Sequence, residues 1–240
     1  MNLHRTIAHA NGQPRWSVLY RRAVSLERTI ATPIHGRYLL DLAEGSGPHT
    51  TLVGFHGYGE QASVQLDRLR AVRGSAHWTL VSVQALHRFY RSGGQVLAAS
   101  WMTREDRDLM IADNIAYVNA VLDAIARDFH PLGAIVFAGF SQGASMAYRA
   151  AALGERSAAS VISLGGDIPP ELSTEALARI PHALVGRGAD DRFYGRETNT
   201  ADLRRLEAAS VHVTAIELAG GHEWGEPFSR AASDWIQTLS

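Results

Sequence analysis

Gly139, Phe140, Ser141, Gln142 and Gly143 set a serine between two glycines, directly after the apolar run 134–138 and before a small-residue stretch of helical character, 144–153. A serine hydroxyl attacks a carbonyl carbon only when it stands clear of a sharp strand-to-helix turn. Glycine at each end of the pentapeptide removes side chains that would collide with neighbouring backbone. The hydroxyl is a poor nucleophile at neutral pH, so the chemistry needs a base to take its proton and an anion to orient that base. Three other groups supply the required types: His56-Gly57-Tyr58-Gly59, Asp190-Asp191, and Gly220-Gly221-His222. Ser141, His222 and an aspartate together fit acyl transfer through a covalent intermediate. Two backbone N–H groups, that of Gln142 just after the serine and that of Tyr58 in the glycine-flanked loop, are placed to hold an oxyanion. As the first residue of a helix, Gln142 would add the favourable field of the helix N-terminus.

Residues so distant in sequence meet only if the fold delivers them to one edge. Short apolar runs at 50–55, 78–83, 134–140, 160–164, 182–186 and 211–218 read as buried strands. Helical spacing appears in Ile111, Ile115, Val118, Leu122 and Ile125, and again in Phe228, Ala231, Ala232, Trp235, Ile236 and Leu239. This alternation predicts an α/β fold, a mostly parallel sheet with helices on both faces, in one domain spanning residues 1–240. The segments 16–22 and 37–42 read as an antiparallel edge. In an open parallel sheet the loops at the strands' carboxyl ends build the site. All four chemical groups follow expected strands. The connection 86–105, rich in aromatics and containing Gly93-Gly94, is long enough to wall a pocket, whereas 165–180 is too short for a cap domain.

Composition narrows the classes. With 240 residues, 46% hydrophobic content and a formal charge of −1, the chain can bury a sizeable core and lacks the basic stripe that nucleic acid would favour. No uninterrupted apolar run approaches the length of a membrane span, and residues 1–16 lack the apolar stretch of a signal peptide, so a cytoplasmic protein without membrane insertion is expected. Cysteine is absent, which removes disulfides and thiolate nucleophiles, and every basic residue other than histidine is arginine, which removes Schiff-base and Ser-Lys chemistry. His222-Glu223 with Asp190-Asp191 forms no recognised metal-ligand spacing, so neither metal nor cofactor is expected.

The order serine, acid, histidine is that of α/β-hydrolases. Phe55-His56-Gly57-Tyr58-Gly59-Glu60, Gly139-Phe140-Ser141-Gln142-Gly143, Gly188-Ala189-Asp190-Asp191 and Gly220-Gly221-His222-Glu223-Trp224 occur in sequence from about residue 50 to residue 225. The chain thereby resembles the phospholipase/carboxylesterase group of α/β-hydrolases, close to the dienelactone hydrolases. The resemblance implies an eight-stranded sheet, no large cap, metal-free hydrolysis of small-molecule esters, and a Ser141, Asp191, His222 triad. It departs from the family at Arg187-Gly188, where members often carry histidine before the glycine. Family spacing selects Asp191. Asp190 beside it, and Asp167 at the acid position of some other α/β-hydrolases, are the alternatives. His56 is expected to brace the oxyanion loop rather than transfer protons. Tyr58, Trp101, Phe140, Phe193, Tyr194 and Trp224 all neighbour these loops; Trp101, Trp224 and Tyr194 are the expected pocket residues. Short soluble carboxylic esters, cleaved through an acyl-enzyme, are the expected substrates; the same acyl chemistry would serve a thioesterase or lysophospholipase, and a catalytically silent ligand-binding relative is the rival outside enzymes.

Overall fold

A computed structural model describes residues 25–45, 47–72, 77–91 and 93–239. The chain divides into two units, Met1–Pro33 and Ile34–Ser240. Residues 25–33 of the first form neither helix nor strand, and the strand expected at 16–22 lies outside the described residues. The second unit runs β1 (Arg37–Asp41), β2 (His49–Phe55), α1 (Ala62–Arg70), β3 (Thr79–Gln84), β4 (His87–Tyr90), β5 (Leu97–Ser100), α2 (Arg107–Asp128), β6 (Leu132–Phe140), α3 (Gln142–Leu153), β7 (Ser160–Leu164), α4 (Thr174–Leu177), β8 (His182–Gly188), α5 (Arg196–Ala208), β9 (His212–Leu218) and α6 (Glu226–Gln237).

Seven strands form one sheet in the order β1-β3-β2-β6-β7-β8-β9. Only β1 runs antiparallel, pairing Arg37 with Gln84 and Asp41 with Leu80 at the edge, as expected for 37–42. The remaining pairs are parallel. Among the described residues this sheet has seven strands rather than the eight expected, and β4 and β5 pair in a separate two-stranded sheet.

Alternate residues of each central strand enter different cores, which is the strand's period of two made visible. Val53, Phe137, Val161 and Val185 pack with Val118, Leu122 and Ile125 of α2 and Met146 of α3. Their neighbours Leu52, Val136, Ile162 and Leu184 pack with Leu66 and Leu69 of α1 and with Phe228, Ala232, Trp235 and Ile236 of α6. Helices thus cover both faces. The 22-residue α2 is long and apolar enough to cross a membrane. Its buried face, including Ile111, Val118, Val121, Leu122 and Ile125, covers the sheet instead. The 86–105 connection folds into the antiparallel hairpin β4–β5, which pairs His87 with Ser100 and Tyr90 with Leu97. Apolar periodicity in the sequence does not mark α1 and α5. Both are largely polar, and each buries only a narrow apolar stripe, Leu66 and Leu69 in α1 or Leu206 in α5.

Candidate active site

Ser141 caps α3 directly after β6, with φ 55° and ψ −123°, a left-handed backbone that a residue bearing a side chain seldom adopts. The turn is held by Ser141 N–H donating to Leu164 O at 2.9 Å and by Ala144 N–H donating to Ser141 O at 2.9 Å. Both flanking glycines are required by close approach. A Cβ on Gly139 would lie 2.1 Å from Gly143 O, and one on Gly143 would lie 2.0 Å from Phe55 O. The serine is therefore lifted by strand, helix and backbone contact together.

His222 Nε2 lies 2.8 Å from Ser141 Oγ, and His222 Nδ1 lies 2.8 Å from Asp191 Oδ2. With Nδ1–H donating to the carboxylate, Nε2 is left to accept from the serine hydroxyl. The other Asp191 oxygen accepts the N–H groups of Phe193 at 2.8 Å and Tyr194 at 2.9 Å. Burial by itself would raise the Asp191 pKa, but the Tyr194 N–H, the His222 ring and the Phe193 N–H outweigh it and hold the carboxyl below its ordinary value. The Asp191 side chain is 1% exposed. Of the two alternative acids, Asp190 is exposed, its N–H donating to Gly220 O, and Asp167 accepts from Ser145 Oγ. Neither bonds His222. Gly165 passes close behind the relay with φ +65°, and a Cβ there would sit 3.1 Å from His222 Nδ1 and 3.2 Å from Asp191 Oδ2.

The loop after β2 is braced by buried polar side chains. His56 is fully buried and bonds Gly57 O through Nδ1 at 2.8 Å, while its Nε2 accepts from Ala85 N–H at 3.1 Å and from the Gln84 amide. Since Nε2 accepts, the ring is neutral with its proton on Nδ1. Burial is the main cause that lowers the His56 pKa, only partly opposed by the bond to Gly57 O. His56 thus takes the bracing role expected of it. Glu60 accepts the Gly57 N–H at 2.8 Å and takes both terminal nitrogens of Arg68, at 2.7 and 2.8 Å. Arg68 in turn lies 4.5 Å over the Phe140 ring. Gly59, at φ +74°, donates to Ala99 O in β5 and accepts from Arg91 Nη2. The N–H groups of Tyr58 and Gln142 enter none of the turn, cap or loop hydrogen bonds among the described residues. The Gln142 side chain ties the elbow to the loop after β5, accepting from Trp101 N–H at 2.9 Å and donating to Ser100 Oγ and Met102 O.

Two hollows flank Ser141. One, of about 440 Å³, is lined by Tyr58, Glu60, Arg91, Phe140, Phe193 and His222 among others. The second, of about 330 Å³, is lined by Gln142, Gly166, Asp167, Phe193, Tyr194 and Thr198 among others. Tyr194 therefore falls where a pocket residue was expected. The other two expected pocket residues do not. Trp101 is fully buried, donates its indole N–H to His56 O at 2.9 Å and packs against Phe55 and His56, so its ring supports the loop after β2 from within the core. Trp224 packs on Phe228 and donates to Ser229 Oγ, lining a separate hollow between α1 and α6 that does not touch Ser141. Phe193 is the more prominent wall: it is 85% exposed, its ring lies 5.0 Å from that of His222, and it borders both hollows. Its place two residues after Asp191 was the available signal. Among the described residues no three His, Asp or Glu side chains are grouped to hold a metal ion.

A serine raised on a strand–turn–helix elbow, facing histidine and aspartate carried by loops after β9 and β8 of a parallel sheet, defines the α/β-hydrolase class. Comparison with known proteins agrees. The profile of the phospholipase/carboxylesterase family matches residues 42–208, more than half of the chain. The chain belongs to that family and is a serine hydrolase of carboxylesterase type. Among solved structures it is similar to a carboxylesterase from Mesorhizobium loti, with a TM-score of 0.70 and 22% identity over 87% of this chain and 98% of that one. It is also similar to the Bacillus cereus carboxylesterase, with a TM-score of 0.69 and 17% identity over 85% and 95% of the two chains. The acyl-protein thioesterase 2 of Zea mays matches with a TM-score of 0.64 and 18% identity over 85% and 99%. No match was found among curated protein sequences.

Proposed function

We propose that the protein hydrolyses short, soluble carboxylic esters through an acyl-enzyme, with Ser141 as nucleophile, His222 as general base and acid, and Asp191 as the anion that orients His222. The observation carrying this reading is the continuous relay of two 2.8 Å contacts, Ser141 Oγ to His222 Nε2 and His222 Nδ1 to Asp191 Oδ2, on a strained elbow. In the first step Oγ bonds to the ester carbon as its proton passes to Nε2. The carbonyl π pair moves onto oxygen, where the N–H groups of Tyr58 and Gln142 receive the oxyanion. Collapse breaks the bond to the alcohol oxygen, which takes the proton from His222. Water, deprotonated by the same nitrogen, then releases the acid and restores Ser141. Asp191 stays ionised throughout. Its two backbone donors favour that state and leave Oδ2 free for the ring.

The test is a fluorophosphonate probe together with a p-nitrophenyl ester series on purified protein. Ser141→Ala should abolish both labelling and turnover while the circular dichroism spectrum is unchanged, because it removes one oxygen from a surface turn. Labelling that persists in Ser141→Ala, or retained turnover, would overturn the assignment. Acyl-CoA and lysophospholipid in the same panel separate the ester reading from its thioester and phospholipid rivals.

A further inference from the structure

The two hollows beside Ser141 carry opposite charges. In the larger, Arg91 is exposed and held by Nη2 donating to Gly59 O at 2.8 Å, and the rest of its guanidinium has no hydrogen-bond partner among the described residues. It enters no ion pair among the described residues. The carboxylate lining the same hollow, Glu60, is already committed to both terminal nitrogens of Arg68 and to Gly57 N–H. Arg91 is therefore the uncompensated charge there. Among the described residues the sole charged side chain lining the smaller hollow is Asp167, whose Oδ1 accepts from Ser145 Oγ at 3.1 Å and which also enters no ion pair there.

Resting on the reading of Ser141 as nucleophile, the geometry points to esters that carry a carboxylate on one half as the preferred substrate class, with Arg91 as the specificity-determining residue. The planar guanidinium, fixed at one nitrogen, presents its remaining donors to a carboxylate in the 440 Å³ hollow. Asp167 repels the same group from the opposite hollow. Attraction on one side and repulsion on the other orient the substrate so that its ester carbon lies at Ser141.

Two matched pairs test this, one for each half of the ester: mono-4-nitrophenyl adipate against 4-nitrophenyl hexanoate, and 4-acetoxybenzoate against its methyl ester. The quantity read is the ratio of kcat/KM for the charged member to that for the neutral one. In one pair, Arg91→Gln should lower the ratio about tenfold, the scale of one exposed charge-assisted contact, while Arg91→Lys retains more of it. In the wild type the same ratio should fall as salt is raised; this arm needs no variant and decides the matter if Arg91→Gln fails to fold. Equal losses for charged and neutral members in both pairs would make Arg91 only a brace for Gly59 and overturn the proposal. So would a salt-independent ratio. A wild-type enzyme that hydrolyses none of the four esters would instead strike down the underlying reading.

Discussion

Asp191→Asn is the perturbation whose consequence follows most directly from the geometry. One carboxylate oxygen accepts two backbone N–H groups, from Phe193 at 2.8 Å and Tyr194 at 2.9 Å, and the other accepts His222 Nδ1 at 2.8 Å. An asparagine must put its amide oxygen toward the two backbone donors, since turning its NH2 group toward them would set donor against donor in a buried site. Its NH2 then faces Nδ1, which is forced to accept. The proton moves to Nε2, the nitrogen 2.8 Å from Ser141 Oγ, where the ring must instead receive a proton. Both the productive tautomer and the charge that stabilises imidazolium are lost. The precedent for this substitution in a serine triad is a loss of about 10⁴-fold in kcat, or roughly 5.4 kcal/mol of transition-state stabilisation.

Asp190→Asn should change kcat less than about twofold, because the Asp190 side chain is exposed and does not contact His222. The assay is kcat with p-nitrophenyl butyrate for both variants, beside circular dichroism to verify the fold. An Asp191→Asn enzyme within tenfold of the wild type, or Asp190→Asn as the more damaging change, would refute the reasoning.

Three further outcomes are expected. Gly165→Ala should cut kcat at least tenfold and lower stability by about 1 kcal/mol, since it puts a side chain at φ +65° and a Cβ 3.1 Å from His222 Nδ1; kcat and thermal melting of the variant check this. Acidification should destabilise the protein partly through Glu60. Burial would raise its pKa, but the Arg68 pair and the Gly57 N–H outweigh that and depress it in the fold, so its contribution is complete above its unfolded value of about 4.5 and is lost as pH falls toward the lower folded value. The wild-type Tm should therefore drop more steeply below pH 4.5 than that of Glu60→Gln, and parallel curves would count against it. Finally, kcat/KM across p-nitrophenyl esters should not climb steeply beyond about twelve acyl carbons, as hollows of about 440 and 330 Å³ offer no long tunnel.

Much of this arrangement was legible in the sequence because it rests on local rules. Buried parallel strands read as short apolar runs, and the run 160–164 coincides with β7, Ser160–Leu164. The elbow glycines were legible because steric exclusion by Gly143 O and Phe55 O leaves no other residue possible. The bracing network was not, since it depends on pairs such as Gln142 with Trp101 or Glu60 with Arg68, whose meeting is set by tertiary approach. The same limit explains Trp101. A tryptophan next to catalytic loops reads as a pocket wall, yet whether its ring faces solvent or core is decided by the turn after β5, which Gln142 and Asn114 hold through its backbone N–H and C=O.

That network also explains how a strained elbow persists. A non-glycine residue at φ 55° costs about 1–3 kcal/mol, which the turn's own two hydrogen bonds cannot comfortably offset at roughly 1 kcal/mol each. The elbow is held from outside as well: Gly166 passes so close beneath it that a Cβ would lie 2.2 Å from Ser141 O, and Gln142 anchors the first residue of α3 to Ser100, Trp101 and Met102. These contacts leave Ser141 no room to relax toward ordinary helix geometry. Its hydroxyl is consequently directed toward His222 before any substrate arrives, and the cost of positioning it is met in folding rather than in each turnover.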